Sequence, residues 1–318
     1  MGASPQTPWI IAPFSSQRPE LTRTPDHAML RTSKLSVEIN LKTALLRFLD
    51  PNRKILLQES ERVPRYYVPM EANGEKLYRV DVRFFPDALE GIYGLGQNQS
   101  GVFDLRGTVI ELGQANTNVA IPMFVSTLGY GLLWNTASKS WFDNRFPSEL
   151  KLTTEAADAI DYYVFYGPSM DRIIQIYRNM TGHAPLFGRW AYGFVQSKDR
   201  YRSARELLDI AAEYRDQHVP LDLMVQDWFW WKRQGDREYA DSYLKPWPDV
   251  STALEKLPAE KVHTMISVWA KFDPSSTNFQ EMKQRGFIVP GTDIYDATNP
   301  AARDYSWEHL MGVKFAGG

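Results

Sequence analysis

One carboxylate followed by a run of aromatic residues is the most distinctive chemical feature of this sequence. Asp227 is followed directly by Trp228, Phe229, Trp230 and Trp231. An ionised Asp accepts hydrogen bonds from hydroxyl groups, and each such charge-assisted bond is worth about 1.5–3 kcal/mol. A Trp ring offers a flat surface on which the C–H face of a pyranose stacks, with little loss of side-chain entropy. A carboxylate beside flat rings therefore favours recognition of a sugar.

Core packing is the alternative explanation for the same run. Aromatic runs usually fill a core or a domain interface, and the sequence gives no preference between packing and sugar contact for Trp230 and Trp231. Asp227 has an alternative of its own, an ion pair with a neighbour such as Lys232. That ion pair would not explain the adjacent rings, so the sequence favours sugar binding by Asp227.

The overall composition points to a neutral ligand. Lys and Arg total 36 against 38 Asp and Glu, a formal net charge of −2, so there is no basic field to attract nucleic acid or an anionic membrane. The chain has no Cys, and its 5 His form no HxH or HExxH pair, so we expect no metal and no cofactor. Rings for stacking are abundant, with 10 Trp and 13% aromatic residues.

No targeting or membrane segment is visible in the sequence. Residues 1–20 lack the basic start and continuous apolar stretch of a signal peptide, and no apolar run reaches membrane-spanning length. We therefore expect a soluble protein with no membrane partner. The compartment, cytoplasmic or periplasmic, and the formation of homo-oligomers are left open.

The first half of the chain has the pattern of an antiparallel β-sandwich. Between about residues 35 and 167 apolar and polar residues alternate with period two, as in KLSVEINL (34–41) and LYRVDVRF (77–84). Turn signals such as Ala72-Asn73-Gly74 separate the strands. We predict a sandwich domain over residues 1–167, because many short strands follow one another with no helix between them.

The second half has the pattern of a parallel sheet covered by helices. A helix capped by Ser169 and a linker of Gly and Pro occupy residues 168–187, and strands and helices alternate over residues 188–318. The predicted strands cover 191–196, 221–225 and 262–269, and the predicted helices cover 203–217 with a Ser203-x-x-Glu206 capping box, 251–257, 278–285 and a segment capped by Asn299. A (β/α)8 TIM barrel needs about eight such strands, so we predict an incomplete barrel in a multidomain β + α/β protein.

Polar side chains next to aromatic or cationic ones follow each predicted parallel strand. They are Gln196-Ser197-Lys198, Gln226-Asp227-Trp228 and Trp269-Ala270-Lys271. Carboxyl ends of parallel strands converge on one edge, where α/β enzymes place their chemistry. We expect Trp269 to be a platform on which a sugar stacks. For Lys198 and Lys271, a role as ordinary surface charges is as good an explanation as a role in binding. Asp222, at the opposite edge of the sheet, is expected to have a structural role, as a cap or in an ion pair. No Gly-rich loop or Arg cluster follows these strands, so phosphate is not the expected ligand.

Several longer segments resemble a known family. Three of them resemble, in order, the catalytic barrel of glycoside hydrolase family 31: WAYGFVQSKDRYRSARELLDIAAEYRDQHVPLDLMVQDWFWW, MISVWAKFDPSSTNFQEMKQRGF and YDATNPAAR. Upstream, YGLGQNQSGVFDLRG and NTNVAIPMFVSTLGYGLLWN resemble the N-terminal β-sandwich of that family, which is similar to galactose mutarotase. The QDWFWW and ISVWAKF forms are most similar to its bacterial α-xylosidases, which remove α-linked xylose from xyloglucan oligosaccharides.

The resemblance implies a retaining mechanism, in which one carboxylate attacks the anomeric carbon and another acts first as acid and then as base. In the family the nucleophile lies at the end of the fourth barrel strand, in a motif like W-x-D-x-x-E-P. That motif does not occur in this sequence. Both catalytic carboxylates are therefore expected beyond Gly318, and the chain is expected to be a truncated and inactive fragment.

The resemblance also implies binding roles for residues of this chain. Asp227 matches the acid that hydrogen-bonds the sugar in the −1 subsite. Phe229 and Trp230 match positions whose bulk disfavours the C6 hydroxymethyl group of glucose and so favours xylose.

Three further positions complete the predicted substrate-binding set. Trp269 matches a residue that faces the same subsite, and Lys271 lies beside it. The loop around Asn116 matches one that reaches over the barrel mouth, although a packing role explains this loop equally well. The predicted set is therefore Asp227, Phe229, Trp230, Trp269, Lys271 and Asn116.

The leading hypothesis is a retaining α-glycoside hydrolase of the α-xylosidase type, acting on an oligosaccharide. An α-glucosidase or α-transglucosylase of the same family is the first alternative, and turnover of xylosides against glucosides separates the two. A non-catalytic carbohydrate-binding protein is the alternative from another class. Saturable sugar binding without hydrolysis would identify it.

Overall fold

The chain divides into two compact units, Met1–Ala184 and Pro185–Gly318, in a computed structural model of the protein. The structure describes residues 18–72, 74–228, 230–236, 239–240, 257 and 261–311. The described part of the first unit is built from antiparallel sheets, and that of the second alternates parallel strands with helices. This order confirms the predicted combination of an antiparallel sandwich with an α/β unit.

A 5-stranded antiparallel sheet opens the first unit. Its strands, in spatial as well as chain order, are β1 (Glu20–Arg23), β2 (His27–Arg31), β3 (Ser36–Asn40), β4 (Leu46–Leu49) and β5 (Ile55–Gln58). β1 and β2 precede residue 35, where the alternating pattern begins. Every residue of β1 is exposed, so this strand has no buried face that could leave an alternating pattern in the sequence.

Two further antiparallel sheets complete the described part of the first unit. One has the spatial order β14 (Tyr162–Tyr166), β11 (Tyr130–Trp134), β10 (Val119–Ser126), β8 (Ile92–Gln97), and the other has the order β6 (Arg65–Ala72), β7 (Glu75–Phe84), β13 (Glu149–Ala157), β12 (Ser140–Phe146), β9 (Val109–Leu112). β6 and β7 form a hairpin with Ala72 opposite Glu75. Gly74 has a φ of +81° in its turn, which confirms the turn signal at 72–74.

Alternating side chains of these sheets form the core of the first unit. On β7, Val80, Val82 and Phe84 are fully buried, and the residues between them are more exposed. Each such buried side chain stabilises the fold by about 1.5–3 kcal/mol. Phe124 of β10 meets Phe142 of β12 edge to face, with 5.7 Å between ring centroids. The core therefore joins two sheets, as the period-two pattern predicts for a sandwich.

Helix α1 (Met170–Thr181) is part of the first unit and packs on its sheets. Ser169 caps its first turn, and Gly182 ends it with a φ of +97°, as the sequence predicts. Ile173 is fully buried in a cluster with side chains of β10, β11 and β14. Gly131 of β11 allows this close approach, because a Cβ there would lie 2.6 Å from Ile173 Cγ2.

The described strands of the second unit form a 3-stranded parallel sheet. The described strands and α-helices of this unit are, in chain order, β15 (Val195–Gln196), α2 (Ala204–Asp216), β16 (Leu223–Gln226), β17 (His263–Ile266), α3 (Thr277–Gln284) and α4 (Pro300–Ser306). The strands pair in chain order, β16 between its two neighbours. The predicted helix 251–257 lies outside the described residues, apart from Leu257.

Polar side chains fix the starts of these helices. Ser203 accepts a hydrogen bond from Glu206 N at 3.1 Å, and Ser276 accepts one from Phe279 N at 3.2 Å. Asn299 caps α4 through the backbone N–H two residues later, at 3.0 Å. Each cap satisfies a backbone donor that the helix itself leaves unpaired. The predicted Ser203 and Asn299 caps are confirmed.

The first parallel strand is shorter than the predicted 191–196. Its first part belongs to a 3₁₀ turn, Arg189–Tyr192, that Gly193 closes. Asp222 accepts a hydrogen bond from Phe194 N at 3.1 Å, and a Cβ on Gly193 would lie 2.0 Å from Asp222 Oδ2. These contacts confirm that Asp222 pairs at the N-terminal edge of the sheet.

Candidate functional site

The parallel register brings the three described strand ends to one edge of the second sheet. Gln196 pairs with Met224, and Gln226 pairs with Ile266. The loops that follow the strands therefore leave the sheet side by side at its carboxyl edge. These loops begin at Ser197, Asp227 and Ser267, and we call them the first, second and third loops.

Asp227 starts the second loop and is partly buried. Its Oδ1 accepts a hydrogen bond from Trp228 N at 2.8 Å. The side-chain amide of Gln226, which is 1% exposed, donates to the Asp227 carbonyl oxygen at 3.1 Å. A carboxylate offers about four acceptor positions, so Asp227 retains acceptor capacity for the hydroxyl groups of a ligand.

Two stacked indoles lie in the second and third loops. Trp228 stacks on Trp269 with 5.9 Å between ring centroids and 15° between ring planes. Trp231 meets Trp269 edge-on at 6.4 Å. Because Trp269 is 46% exposed, the stacked pair, which we call the indole slab, presents part of an aromatic surface to solvent. Such a surface suits the C–H face of a pyranose.

Residues of the first loop hold Trp228. Its indole Nε1 donates to Asp199 Oδ1 at 2.6 Å, and the Arg200 guanidinium carbon lies 5.2 Å from the ring centroid. Both contacts are favourable, the first as a charge-assisted hydrogen bond and the second as a cation–π interaction. The first loop thus helps to shape the second.

The first loop is itself anchored on α2. Lys198 Nζ lies 2.6 Å from Glu206 Oε1, and the other oxygen of Glu206 accepts a hydrogen bond from Arg202 N at 2.7 Å. The hydrogen bond from Lys198, followed by that from the Arg202 backbone, lowers the pKa of Glu206. The anchor therefore stays ionised at neutral pH. Lys198 acts here as a structural cation, which agrees with its interpretation as an ordinary charge.

Trp230 and Trp231 are almost fully buried, at 7% and 8% exposure. Trp230 Nε1 donates to the Ser267 carbonyl oxygen at 3.0 Å, which joins the second loop to the third. Tyr239 packs 4.8 Å from Trp230, and burial raises the pKa of Tyr239 to about 12. These rings fill the interior behind the loops, and the predicted contact of Trp230 with a sugar stays a prediction.

Further hydrogen bonds tie the second loop to the start of α3. Asp273 N donates to the Gln234 carbonyl oxygen at 2.9 Å, and Ser276 Oγ donates to Asp236 Oδ1 at 2.6 Å. Gly235 lies between them with a φ of +92°, a conformation that favours glycine. These bonds restrain the loop that carries Asp227.

The remaining predicted residues are spread over both units. Lys271 Nζ, in the third loop, lies 3.3 Å from Asp293 Oδ2, in the segment between α3 and α4, and the two form an ion pair. Asn116 is exposed in the turn between β9 and β10 of the first unit. Phe229 lies outside the described residues. The structure thus brings Asp227, Trp230, Trp269 and Lys271 to one sheet edge.

Two members of this cluster, Trp228 as a stacking ring and Asp199 as its partner, were not predicted from the sequence. The two residues are 29 positions apart and both lie in loops, so no periodic pattern links them. The available signal was their common place, because each lies three residues after a predicted parallel strand, 191–196 or 221–225. That signal identifies a shared edge but not a contact.

A carboxylate with acceptor capacity beside an indole slab can bind a neutral polyhydroxylated ligand. Among the described residues, no group of three or more His, Cys, Asp or Glu side chains is arranged to hold a metal ion. In the same part of the chain, none of the helices combines the length and apolar character that crossing a bilayer requires.

Models of known protein families match segments of both units. Residues 184–316 match the glycosyl hydrolases family 31 TIM-barrel domain, and residues 4–143 match the glycosyl hydrolase 31 N-terminal galactose mutarotase-like domain. Both descriptions are of domains found in glycosyl hydrolases of family 31. The chain belongs to glycoside hydrolase family 31, which confirms the resemblance and the predicted start of a TIM barrel.

Individual relatives are similar over nearly all of this chain. An α-xylosidase of Saccharolobus solfataricus is 34% identical, and the match covers 88% of this chain and 39% of that protein. An uncharacterized family 31 glucosidase of Pseudescherichia vulneris is 31% identical, and the match covers 94% of this chain and 62% of that protein. A solved structure, the family 31 α-xylosidase from a soil metagenome complexed with xylose, has a TM-score of 0.84 at 26% identity and covers 100% of this chain and 50% of that one.

Proposed function

We propose that this chain carries the sugar-binding side of the −1 subsite in a retaining α-xylosidase. The observation that carries the proposal is the indole slab next to Asp227, at the carboxyl edge of the parallel sheet. The similarity to proteins named α-xylosidase supports xylose as the sugar. The chain spans 39% of the Saccharolobus solfataricus enzyme, so the activity is proposed for the whole protein of which these residues form a part.

Each predicted residue has a proposed task. Asp227 accepts hydrogen bonds from sugar hydroxyls, and Trp269 stacks on the C–H face of the ring. Phe229 and Trp230 limit the space near C5 of the sugar, Trp230 by filling the loop interior. A pentose such as xylose has no hydroxymethyl group at C5, so a narrow subsite favours it over glucose.

Lys271 and Asn116 have lesser proposed roles. The ammonium of Lys271 is already paired with Asp293, so we assign it a supporting charge near the subsite. Asn116 is exposed on the first unit, and its proposed role stays the sugar-binding role that the resemblance implies. The resemblance is the support for both assignments.

The catalytic carboxylates are not assigned within residues 1–318. The family motif W-x-D-x-x-E-P does not occur in them, and we propose that the nucleophile and the acid/base follow Gly318 in the complete protein. A polypeptide of residues 1–318 is then expected to hydrolyse no aryl α-xyloside or α-glucoside. Hydrolysis by this polypeptide that disappears in Asp227→Ala would contradict the assignment.

Calorimetric titration of xylose and glucose into the intact protein tests the binding role. We expect saturable binding of xylose, tighter than that of glucose. Asp227→Ala should weaken xylose binding about 10- to 100-fold, because it removes one or two charge-assisted hydrogen bonds. Asp304→Ala, which removes an exposed carboxylate on α4, is the matched control and should change nothing.

Tighter binding and turnover of glucosides would favour the α-glucosidase or α-transglucosylase alternative instead. The glucosidase of Pseudescherichia vulneris is one relative that supports that alternative. Equal xylose affinity in Asp227→Ala and the unsubstituted protein would remove Asp227 from the subsite.

A further inference from the structure

We infer that Asp199 is a positioning residue for the sugar platform: its carboxylate holds the Trp228 indole in the stack with Trp269. Asp199 touches no predicted catalytic group, and it would act through the ring that it fixes. The inference rests on the proposed function, since it concerns how the platform of that subsite is kept in place.

The contact uses the single hydrogen-bond donor of the Trp228 side chain. An indole carries only the Nε1–H, and in Trp228 this group donates to Asp199 Oδ1 at 2.6 Å. A rotation about either side-chain torsion of Trp228 would break this bond. It would also disturb the stack with Trp269, whose plane lies within 15° of the Trp228 plane. The hydrogen bond therefore selects one orientation of the ring.

Asp199 can restrain Trp228 because its own loop is held in place. Lys198 pairs with Glu206 at 2.6 Å on the α2 side. Upstream of Asp199, the Gln196 side-chain amide donates a hydrogen bond to Tyr201 Oη at 3.2 Å. Its Oε1 accepts a hydrogen bond from Tyr214 Oη at 2.7 Å. These contacts therefore restrain the loop that carries the Asp199 carboxylate.

The backbone of Arg200 supports the same conclusion independently. Arg200 has a φ of +62°, a left-handed conformation that is unfavourable for a residue with a Cβ. Strained conformations of this kind persist where the surrounding contacts demand them and cluster at ligand sites. The guanidinium of this same residue lies 5.2 Å from the Trp228 ring centroid. Two consecutive residues of the first loop thus converge on one indole.

A loose Trp228 would reduce the preorganisation of the platform. A ring that samples several orientations must be ordered when the sugar binds, which weakens affinity without removing any group that touches the sugar. We therefore expect Asp199→Ala to raise the Kd for xylose by about five- to tenfold. Asp199→Asn keeps an acceptor oxygen in the same place and should stay within about twofold of the unsubstituted protein.

Near-UV circular dichroism of the intact protein gives a readout that does not depend on sugar. The signal lost in both Trp228→Leu and Trp269→Leu defines the contribution of the stack. Asp199→Ala should lose most of this signal, and Asp199→Asn should retain it. Asp209→Ala is the matched control, because Asp209 is an exposed acid that pairs with Arg205 at 2.7 Å on α2. It should leave both the signal and xylose affinity unchanged.

An unchanged stack signal in Asp199→Ala would overturn the inference, whatever happens to affinity. The same loss of signal in Asp209→Ala would also overturn it, since the effect would then follow from loss of any nearby charge. Failure of the unsubstituted protein to bind xylose would reject the proposed function. The dichroism comparison would still decide the role of Asp199.

Discussion

A carboxylate beside stacked aromatic rings occurs twice in this protein, in the interior of the first unit and at the carboxyl edge of the sheet in the second. The first example is buried and the second is open to solvent. In the first unit Trp134 stacks on Tyr162 with 6.3 Å between centroids and 23° between planes. In the second, Trp228 stacks on Trp269 at 5.9 Å and 15°. The geometry is similar, but Trp134 is 2% exposed and Trp269 is 46% exposed.

The carboxylates differ in the same way. Glu59, fully buried beside Tyr162, accepts hydrogen bonds from Arg65 Nε at 3.0 Å, Arg65 Nη2 at 2.9 Å, Leu46 N at 3.1 Å and Tyr162 Oη at 3.0 Å. Its acceptor positions are filled by the protein itself. Asp227, at the sheet edge, accepts one backbone hydrogen bond at Oδ1. A structural carboxylate therefore differs from a binding carboxylate in how many of its acceptor positions protein donors fill, and not in residue type.

The largest expected effect tests the two stacks against each other. Trp134→Ala should lower the free energy of unfolding by about 3–5 kcal/mol, because it opens a cavity and removes the hydrogen bond from the Trp134 indole N–H to Thr154 Oγ1 at 2.7 Å. Trp269→Ala should lower it by less than about 1 kcal/mol, since that ring is already half in water. Hydrogen exchange of amides in β11 and β16 measures each unit separately. Equal losses in the two variants would mean that exposure does not distinguish the stacks.

Removal of the buried charge should have the next largest effect. Glu59→Gln keeps the shape of the side chain but leaves the Arg65 guanidinium without a counter-charge in a mostly buried position, for an expected loss of about 3 kcal/mol. The matched control is Glu61→Gln, which breaks an exposed pair with Arg47 at 2.9 Å and should cost less than about 0.5 kcal/mol. Chemical denaturation read by β11 amide exchange measures both. A loss in Glu59→Gln as small as that of the control would show that the saturated carboxylate adds no stability.

A smaller, pH-dependent effect is expected from Glu90, a second buried carboxylate of the first unit. Glu90 is 1% exposed and accepts a hydrogen bond from Tyr130 Oη. Burial raises the pKa of Glu90 above its usual value of 4.5, so the folded state favours the neutral acid. The resulting stabilisation is fully present below 4.5 and is lost as the pH rises through the raised pKa.

Glu90→Gln, which cannot ionise, isolates this contribution. The stability of the variant relative to the unsubstituted protein should increase as the pH rises from below 4.5 to neutrality. Each unit by which the pKa is raised corresponds to about 1.4 kcal/mol. The measurement is the difference between the two unfolding free energies at each pH, which cancels the other titrating groups. A difference that does not change with pH would contradict the raised pKa.

Local sequence signals predicted much of the fold. Ser203 and Asn299 cap helices because each places a side-chain oxygen at a helix start, and such caps depend on neighbours within a few residues. The alternation that marks β7 follows from one buried face. β1 has no buried residue, and the sequence accordingly gave no pattern from which to predict it.

The candidate site was predictable only in outline. Asp227 and Trp269 follow parallel strands, so their common edge follows from the order of elements. The hydrogen bond between Asp199 and Trp228 joins loops that are 29 residues apart, and it depends on the exact path of both. The first barrel strand was predicted too long because Gly193 closes a 3₁₀ turn at its start. The hydrogen bond from Phe194 N to Asp222 that follows this turn joins residues 28 positions apart and has no local signature.

Gly131 has a consequence for how this protein can be divided, in the laboratory or in evolution. Ile173 of α1 packs where a side chain at position 131 would otherwise stand. A gene fragment that ends with β14, the last described strand of the first unit, at Tyr166, would leave the buried residues Leu133 and Phe165 facing water. The helix therefore belongs to the sandwich as a module, and any exchange of the first unit between related enzymes should carry α1 with it.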